Sequence, residues 1–428
     1  MSDGALDKIL DIDRRLARIA PRVRVLSALA WPAALEHEFL QGWRAGRPAL
    51  PRVELQPATL GSEISALEDL MGRCDRGHPL GILLWKTARS YLDAARMLKG
   101  IGTPDFTRWS VALYGRPDDR YRTQAITGVD AAEFFLRTTD ELLGGREIPS
   151  TKADIPATVL ASRLQEAIDA FFTDDPVVVE LDLRLSSKAI AGSRRVRVRA
   201  DALFNDLDFA QLLHHEAFVH TLTMINGKRQ PNLRCLGLGA PRTTRTQEGI
   251  AVLAELVTLS IDIHRLRRVG LRVRAIDRAL NGADFIDVFR AFLDAGQTEE
   301  ESYKSAQRVF RGGNVRGRVA FTKDCVYLKG LLEVHTVLRV AIRDNRPELL
   351  RNLFAGRLTI GDVIELSPFF ESGWLAPPRY VPPWAQDIRR LAANLAYSAF
   401  AARIDLSSLR LEDIAEDRWR EDERAAEG

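Results

Sequence analysis

Apolar positions recur at helical spacing from residue 4 to about residue 170. In HPLGILLWKTARSYLDAARMLKG, Leu80, Leu83, Leu84, Ala88 and Tyr91 fall on one stripe, the mark of a helix with one buried face. Breakers with polar neighbours divide this region at Arg47 to Pro51, Gly100 to Pro104, Gly115 to Asp118 and Gly144 to Pro149. The pattern changes after Pro176. VVVELDLRL carries a β-branched run, and RRVRVRA alternates strictly, so the two are expected to form a small antiparallel pair. That alternation puts Val196 and Val198 on one face and Arg195, Arg197 and Arg199 on the other, a half-exposed strand with a solvated basic side.

Helical spacing returns in DLDFAQLLHHEAFVHTLTMI, residues 206 to 225, and Asn226-Gly227 reads as its C-terminal stop. A Pro/Gly-containing connection follows to Arg245. TQEGIAVLAELVTLSIDIHRL then predicts a second long helix with Thr246 at its N-cap. Helices continue to a highly charged end, LEDIAEDRWREDERAAEG, which is expected to fray. The expected organisation is a helical N-terminal region (1–170), a catalytic region (171–410) and a charged tail (411–428). The fold class is mainly α (α+β).

Composition narrows the function classes. With 46% apolar and 28% charged residues over 428 positions, the chain has ordinary globular make-up and enough length for a large core. A net charge of only +3, from 61 basic and 58 acidic side chains, demands neither nucleic acid nor an anionic membrane as partner. HRLRRVGLRVRAIDRAL is basic, but its apolar spacing suits a packed helix with a solvated side. GLGAPRTT makes a poor phosphate loop, because Pro241 has no N–H and no strong strand precedes it. Cys74, Cys235 and Cys325 are odd in number and widely spaced, which fits a reducing compartment. The charged N-terminal segment lacks the apolar run of a signal peptide, and no stretch is apolar enough to span a membrane, so a cytoplasmic location is expected.

Three of the seven histidines fall between positions 214 and 220. In His215-Glu216-Ala217-Phe218-Val219-His220 a carboxylate directly follows the first imidazole, as in helical zinc-hydrolase motifs. Those motifs space their histidines by four, about 40° apart around an α-helix, whereas five residues rotate the second ring by about 140°. Two rings so turned cannot both reach an ion at about 2 Å. The spacing therefore predicts a π-type turn between His215 and His220, a deformation that concentrates at functional sites. A third protein ligand must come from another element, and Glu248, 33 residues after His215 in the first turn of the next predicted helix, is the best candidate. Glu255, two turns on and on the same face, could instead ligate, or accept a hydrogen bond from a liganding imidazole. Glu216 would serve as general base toward a metal-activated water. His214 is assigned no role.

HHEAFVHTLT, NGKRQP and TQEGIA, with KAIAG upstream and RGG followed by FTKDCVYLKG downstream, resemble a metallopeptidase family named for its QEGLA motif. That family includes the microtubule-associated tyrosine carboxypeptidases. The likeness spans about residues 180 to 335, with Ile250 in place of the motif leucine. It implies a zincin-like metallopeptidase fold, with a large helical body and a small antiparallel sheet before the HExxxH helix. It also implies one Zn²⁺ held by His215, His220 and Glu248, with Glu216 as base.

On this reading the chain is a zinc-dependent peptidase, expected to act as a carboxypeptidase on a peptide or protein C-terminus. A carboxypeptidase needs a cation for the terminal carboxylate, and Arg311 and Lys323 are the candidates. Tyr327, one helical turn after Lys323, is a candidate donor to the oxyanion. The basic strand RRVRVRA is a candidate edge for pairing an extended peptide. Two other readings share the motifs: a zinc amidase or deacylase acting on a non-peptide amide, and a non-catalytic regulatory protein keeping the fold. An intact Glu216 argues against the second.

Overall fold

The computed structural model describes residues 3–121, 126–143, 152–185 and 187–401. Residues 1–386 form one compact unit and 387–428 a second, whose described part is the helix Ile388–Ala401. The expected break at Gly144 to Pro149 and the charged tail 411–428 lie outside the described residues.

The first unit is mainly helical, and the helices begin and end where breakers dictate. Pro79–Lys99 starts with proline at its first position behind a His78 cap, and Pro104–Tyr114 ends at Gly115. Buried aromatics fasten the body: Phe39 packs edge-on against Phe285 and Phe289, and Tyr303 and Phe310 complete the cluster. Among the described residues no helix is long and apolar enough to cross a membrane.

Among the described residues five short strands interrupt the helices: β1 (Ile155–Pro156), β2 (Val178–Asp182), β3 (Ala189–Ala191), β4 (Arg195–Arg199) and β5 (Leu203–Phe204). β1 pairs with β5, and the others form a sheet in the order β2-β4-β3. Val196 and Val198 are buried while the arginines between them face outward, as the alternation requires. The pairing direction differs from expectation. β2 and β4 run parallel, because the Ser/Gly-containing stretch between them supplies β3, which folds back antiparallel onto β4. The neighbouring edge of β4 is thereby filled, and β2 can reach only the other one. RRVRVRA is consequently the central strand, not an edge open to a peptide. Its outward arginines pair with carboxylates: Arg195 with Glu180, Arg197 with Asp182 and Arg199 with Asp201.

The helix Ala157–Phe171 packs on this sheet in a core of Leu160, Leu164, Val198, Phe204 and Leu212, and Leu212 lies two residues before the first histidine of the cluster. The sheet core thus fixes the base of the helix that carries the site.

Candidate metal centre

A capping box at Asn205 and Asp208 opens that helix, which runs unbroken from Asp206 to Lys228. Its middle, Leu213–Thr221, is π-helical, the deformation that the five-residue histidine spacing predicts. In a π turn the hydrogen bond spans five residues, so residues five apart stack as residues four apart do in an α-helix. The rings of His215 and His220 lie 4.8 Å apart, nearly perpendicular, and both are buried. The helix does not stop at Gly227. A Cβ there would sit 2.0 Å from the Leu236 carbonyl oxygen, so this glycine serves close packing against the following loop.

The second helix spans Thr244–Val257. It begins two residues before the expected Thr246 cap, following directly on a 3₁₀ turn at Pro241–Thr243, and Thr246 instead accepts a bond from Ile360 N–H. Glu248 therefore lies in the second turn. Each motif residue has a physical task. The Thr223 hydroxyl joins Gln247 Oε1 at 2.8 Å, tying the two helices together. Gly249 meets Gly330 of the helix Cys325–Arg343 backbone to backbone, where an added Cβ would lie 2.4 Å from the Gly330 carbonyl. Ile250 and Ala251 are buried core.

Glu248 Oε2 lies 3.5 Å from His215 Nε2 and 3.6 Å from His220 Nε2, and the three donor atoms fall within 4.8 Å of one another. Ligand atoms held about 2.0–2.2 Å from one tetrahedral ion are roughly 3.3–3.5 Å apart, so the spacing suits zinc better than direct hydrogen bonding. Oε2 is buried without a hydrogen-bond partner, and an unpaired buried carboxylate oxygen between two imidazoles calls for a cation. Burial would depress the His215 imidazolium, but Glu248 and Glu255 outweigh it and push its pKa up to about 10. Burial and the neighbouring His215 charge keep the His220 imidazolium below its usual range. Glu248 stays well below the carboxylate range despite burial, held there by Lys323 and the imidazoles. The two imidazoles and the unpartnered carboxylate oxygen suit a bound zinc ion.

Glu255, fully buried, takes the other nitrogen of the same ring: His215 Nδ1 and Glu255 Oε1 are 2.6 Å apart. Gln211 Nε2 donates to that carboxylate at 3.1 Å, and Arg265 pairs with it. Glu255 thus fixes Nε2 as the ring atom facing Glu248. Glu216, half-buried on the turn between the two histidines, accepts a hydrogen bond from Ala191 N–H at 3.0 Å. The edge strand β3 therefore holds the expected base in place, and Thr221 steadies the contact by donating to the Gly192 carbonyl. His214 lies outside the donor group, edge-on to Phe218.

Cations line the opposite wall. Lys323 sits in the 3₁₀ turn Thr322–Asp324, and its ammonium lies 3.1 Å from Glu248 Oε1 and over the Tyr327 ring. Lys323 and Tyr327 do share a face, but the lysine is engaged with the candidate ligand carboxylate. The Tyr327 hydroxyl accepts from Arg308 Nη2 at 3.4 Å, which leaves its own proton to donate. Arg308 grips Asp324 at 2.6 and 2.8 Å, Arg272 reaches the same carboxylate at 3.6 Å, and Arg311 lies over Phe321. Among the described residues no carboxylate pairs with Arg311, and its Nε has no partner. Burial, with Arg308 nearby, brings the Arg311 and Arg272 guanidinium pKa values down to about 10. Arg357 is a further buried guanidinium, also lowered to about 10 by burial; its Nη2 donates weakly to the His220 carbonyl at 3.4 Å.

Sequence reasoning missed Arg265, Arg272, Arg308 and Arg357. For two of them a signal existed. Arg265, Val269, Arg272 and Ile276 form one stripe of the helix Ile263–Leu280, so two of its arginines sit on the buried face and not on its solvated side. Arg357 comes from a loop and carried no pattern.

A family model described as Microtubule-associated tyrosine carboxypeptidase matches residues 37–403 of the chain. No curated protein matches it.

Proposed function

The chain belongs to the microtubule-associated tyrosine carboxypeptidase family, and from that premise we propose that it is a zinc-dependent carboxypeptidase that removes residues from the C-terminus of a peptide or protein. The observation that carries this reading is the buried, unpartnered Glu248 Oε2 facing two imidazole nitrogens at 3.5 and 3.6 Å, with Glu216 on the turn between those histidines.

His215, His220 and Glu248 would hold the ion, and a bound Zn²⁺ supplies the Lewis acidity that lets water attack a peptide carbonyl at neutral pH. Glu216 takes the proton of that water and delivers it to the departing amine, its carboxylate aimed by the Ala191 amide. Tyr327 has a proton to donate to the carbonyl oxygen as charge develops there. Arg311, with Arg272 and Arg308 beside it, offers guanidinium N–H groups to the terminal carboxylate of the substrate. Arg272 and Arg308 share one carboxylate, Asp324, and Arg311 pairs with none among the described residues, so the three carry uncompensated positive charge in a buried setting.

The test is Glu216→Gln beside the native chain. Both are expected to carry one zinc per chain by elemental analysis, and only the native chain should release single C-terminal amino acids from a peptide mixture. The variant should lose at least about 10²-fold in kcat. Internal cleavage, or equal activity in the two proteins, would reject the reading.

A further inference from the structure

The two oxygens of Glu248 have different surroundings. Oε2 faces both imidazoles and has no hydrogen-bond partner, while Oε1 receives the Lys323 ammonium at 3.1 Å. We propose that Lys323 is a positioning residue that keeps Glu248 a one-oxygen ligand of the metal. The inference rests on the zinc reading above and extends it to a residue outside the ligand set.

A carboxylate can grip a cation through one oxygen or both, and the second oxygen would fill a position that water and the substrate carbonyl need. Lys323 forestalls this by occupying Oε1 with a charge-assisted bond in a site where both side chains are almost wholly removed from water.

The lysine is rigidly mounted. Thr322 N–H donates to Ser110 Oγ at 2.9 Å on one side of it, and Asp324 is clamped by Arg308 on the other. The Gly249–Gly330 contact sets the separation of the two elements, since any side chain at either glycine would drive Lys323 and Glu248 apart. The lysine's pairing with Glu248 also separates its task from that of Arg311, which has no carboxylate partner among the described residues.

The experiment compares native protein with Lys323→Met and Lys323→Arg, each loaded with zinc and, separately, with cobalt(II), whose visible absorption reports coordination number. Lys323→Met is expected to bind zinc about 10–100-fold more weakly in competition with a chelator. Its cobalt bands should weaken and move to shorter wavelength, as the freed Oε1 joins the ion and coordination rises. Lys323→Arg, which keeps a cation on Oε1, should retain the native spectrum. If the methionine variant does not fold, Lys323→Gln supplies the same readout. An unchanged cobalt spectrum and unchanged zinc affinity in the uncharged variant would overturn the inference while leaving the zinc reading intact. A native chain that binds neither metal would instead bring down the zinc reading, and this inference with it.

Discussion

His215 carries the heaviest electrostatic load in the site, with Glu255 on Nδ1 and Glu248 facing Nε2. In the metal-free protein its pKa rises to about 10, because two carboxylates outweigh its burial. Zinc needs the Nε2 lone pair, so between pH 6.5 and 10 the ion must displace a proton from this ring. Glu248 and His220 supply none, since the first is already ionised and the second already neutral. Calorimetric titration with zinc in buffers of different ionisation enthalpy should show about one proton released per ion at pH 7.5, with affinity rising about tenfold per pH unit. The sign for stability follows: a raised folded-state pKa stabilises the metal-free protein fully below pH 6.5, and that gain is lost as pH climbs toward 10. Zero proton release would contradict the assignment. Replacing Glu255 with Gln should reduce the release and weaken zinc binding about 10–100-fold, since the ring would lose the carboxylate that orients it.

Between elements, the crossing of Thr244–Val257 with Cys325–Arg343 sets the width of the site. Two glycines make it. A methyl group at Gly249 would lie 2.4 Å from the Gly330 backbone, which no rotamer change relieves. Gly249→Ala should therefore cost about 1–3 kcal/mol or more in denaturant unfolding and should also weaken zinc binding, because Glu248 moves with its helix. A variant that loses stability yet binds zinc as tightly as the native chain would show that the crossing does not set the ligand geometry. The motif glycine is easy to see in the sequence, but its partner sits 81 residues on, and only the folded packing pairs them. The π turn is the opposite case. Two imidazoles and a carboxylate at five-residue spacing make sense only on a deformed helix, so tertiary geometry could be read from a local pattern. Strand order was not legible in this way, since β3 is three residues long and has no alternation to announce it. Nor was the direction of Lys323 and Arg357, whose surroundings come from segments far away in the chain.

Across the first unit the donor set joins two helices that pack directly on each other but are anchored to different parts of the body. His215 and His220 stand on a helix anchored to the small sheet, while Glu248 stands on a helix locked against Cys325–Arg343. Thr223 with Gln247, His215 with Glu255, and Lys323 with Glu248 bridge the same junction, so much of its polar chemistry converges on one spot. A metal-free junction keeps an orphaned carboxylate oxygen and crowded charges, and an ion there should tighten the whole body beyond the site itself. Binding to the folded state alone stabilises by about 4 kcal/mol when free zinc stands 1,000-fold above its dissociation constant. Scanning calorimetry of the native chain should therefore show melting several degrees lower after chelation, restored by stoichiometric zinc. The same comparison on a His215→Ala, His220→Ala double variant should show no response to either treatment. A native chain whose melting ignores chelator and zinc alike would mean that the three donors do not act together on one ion, whatever their spacing.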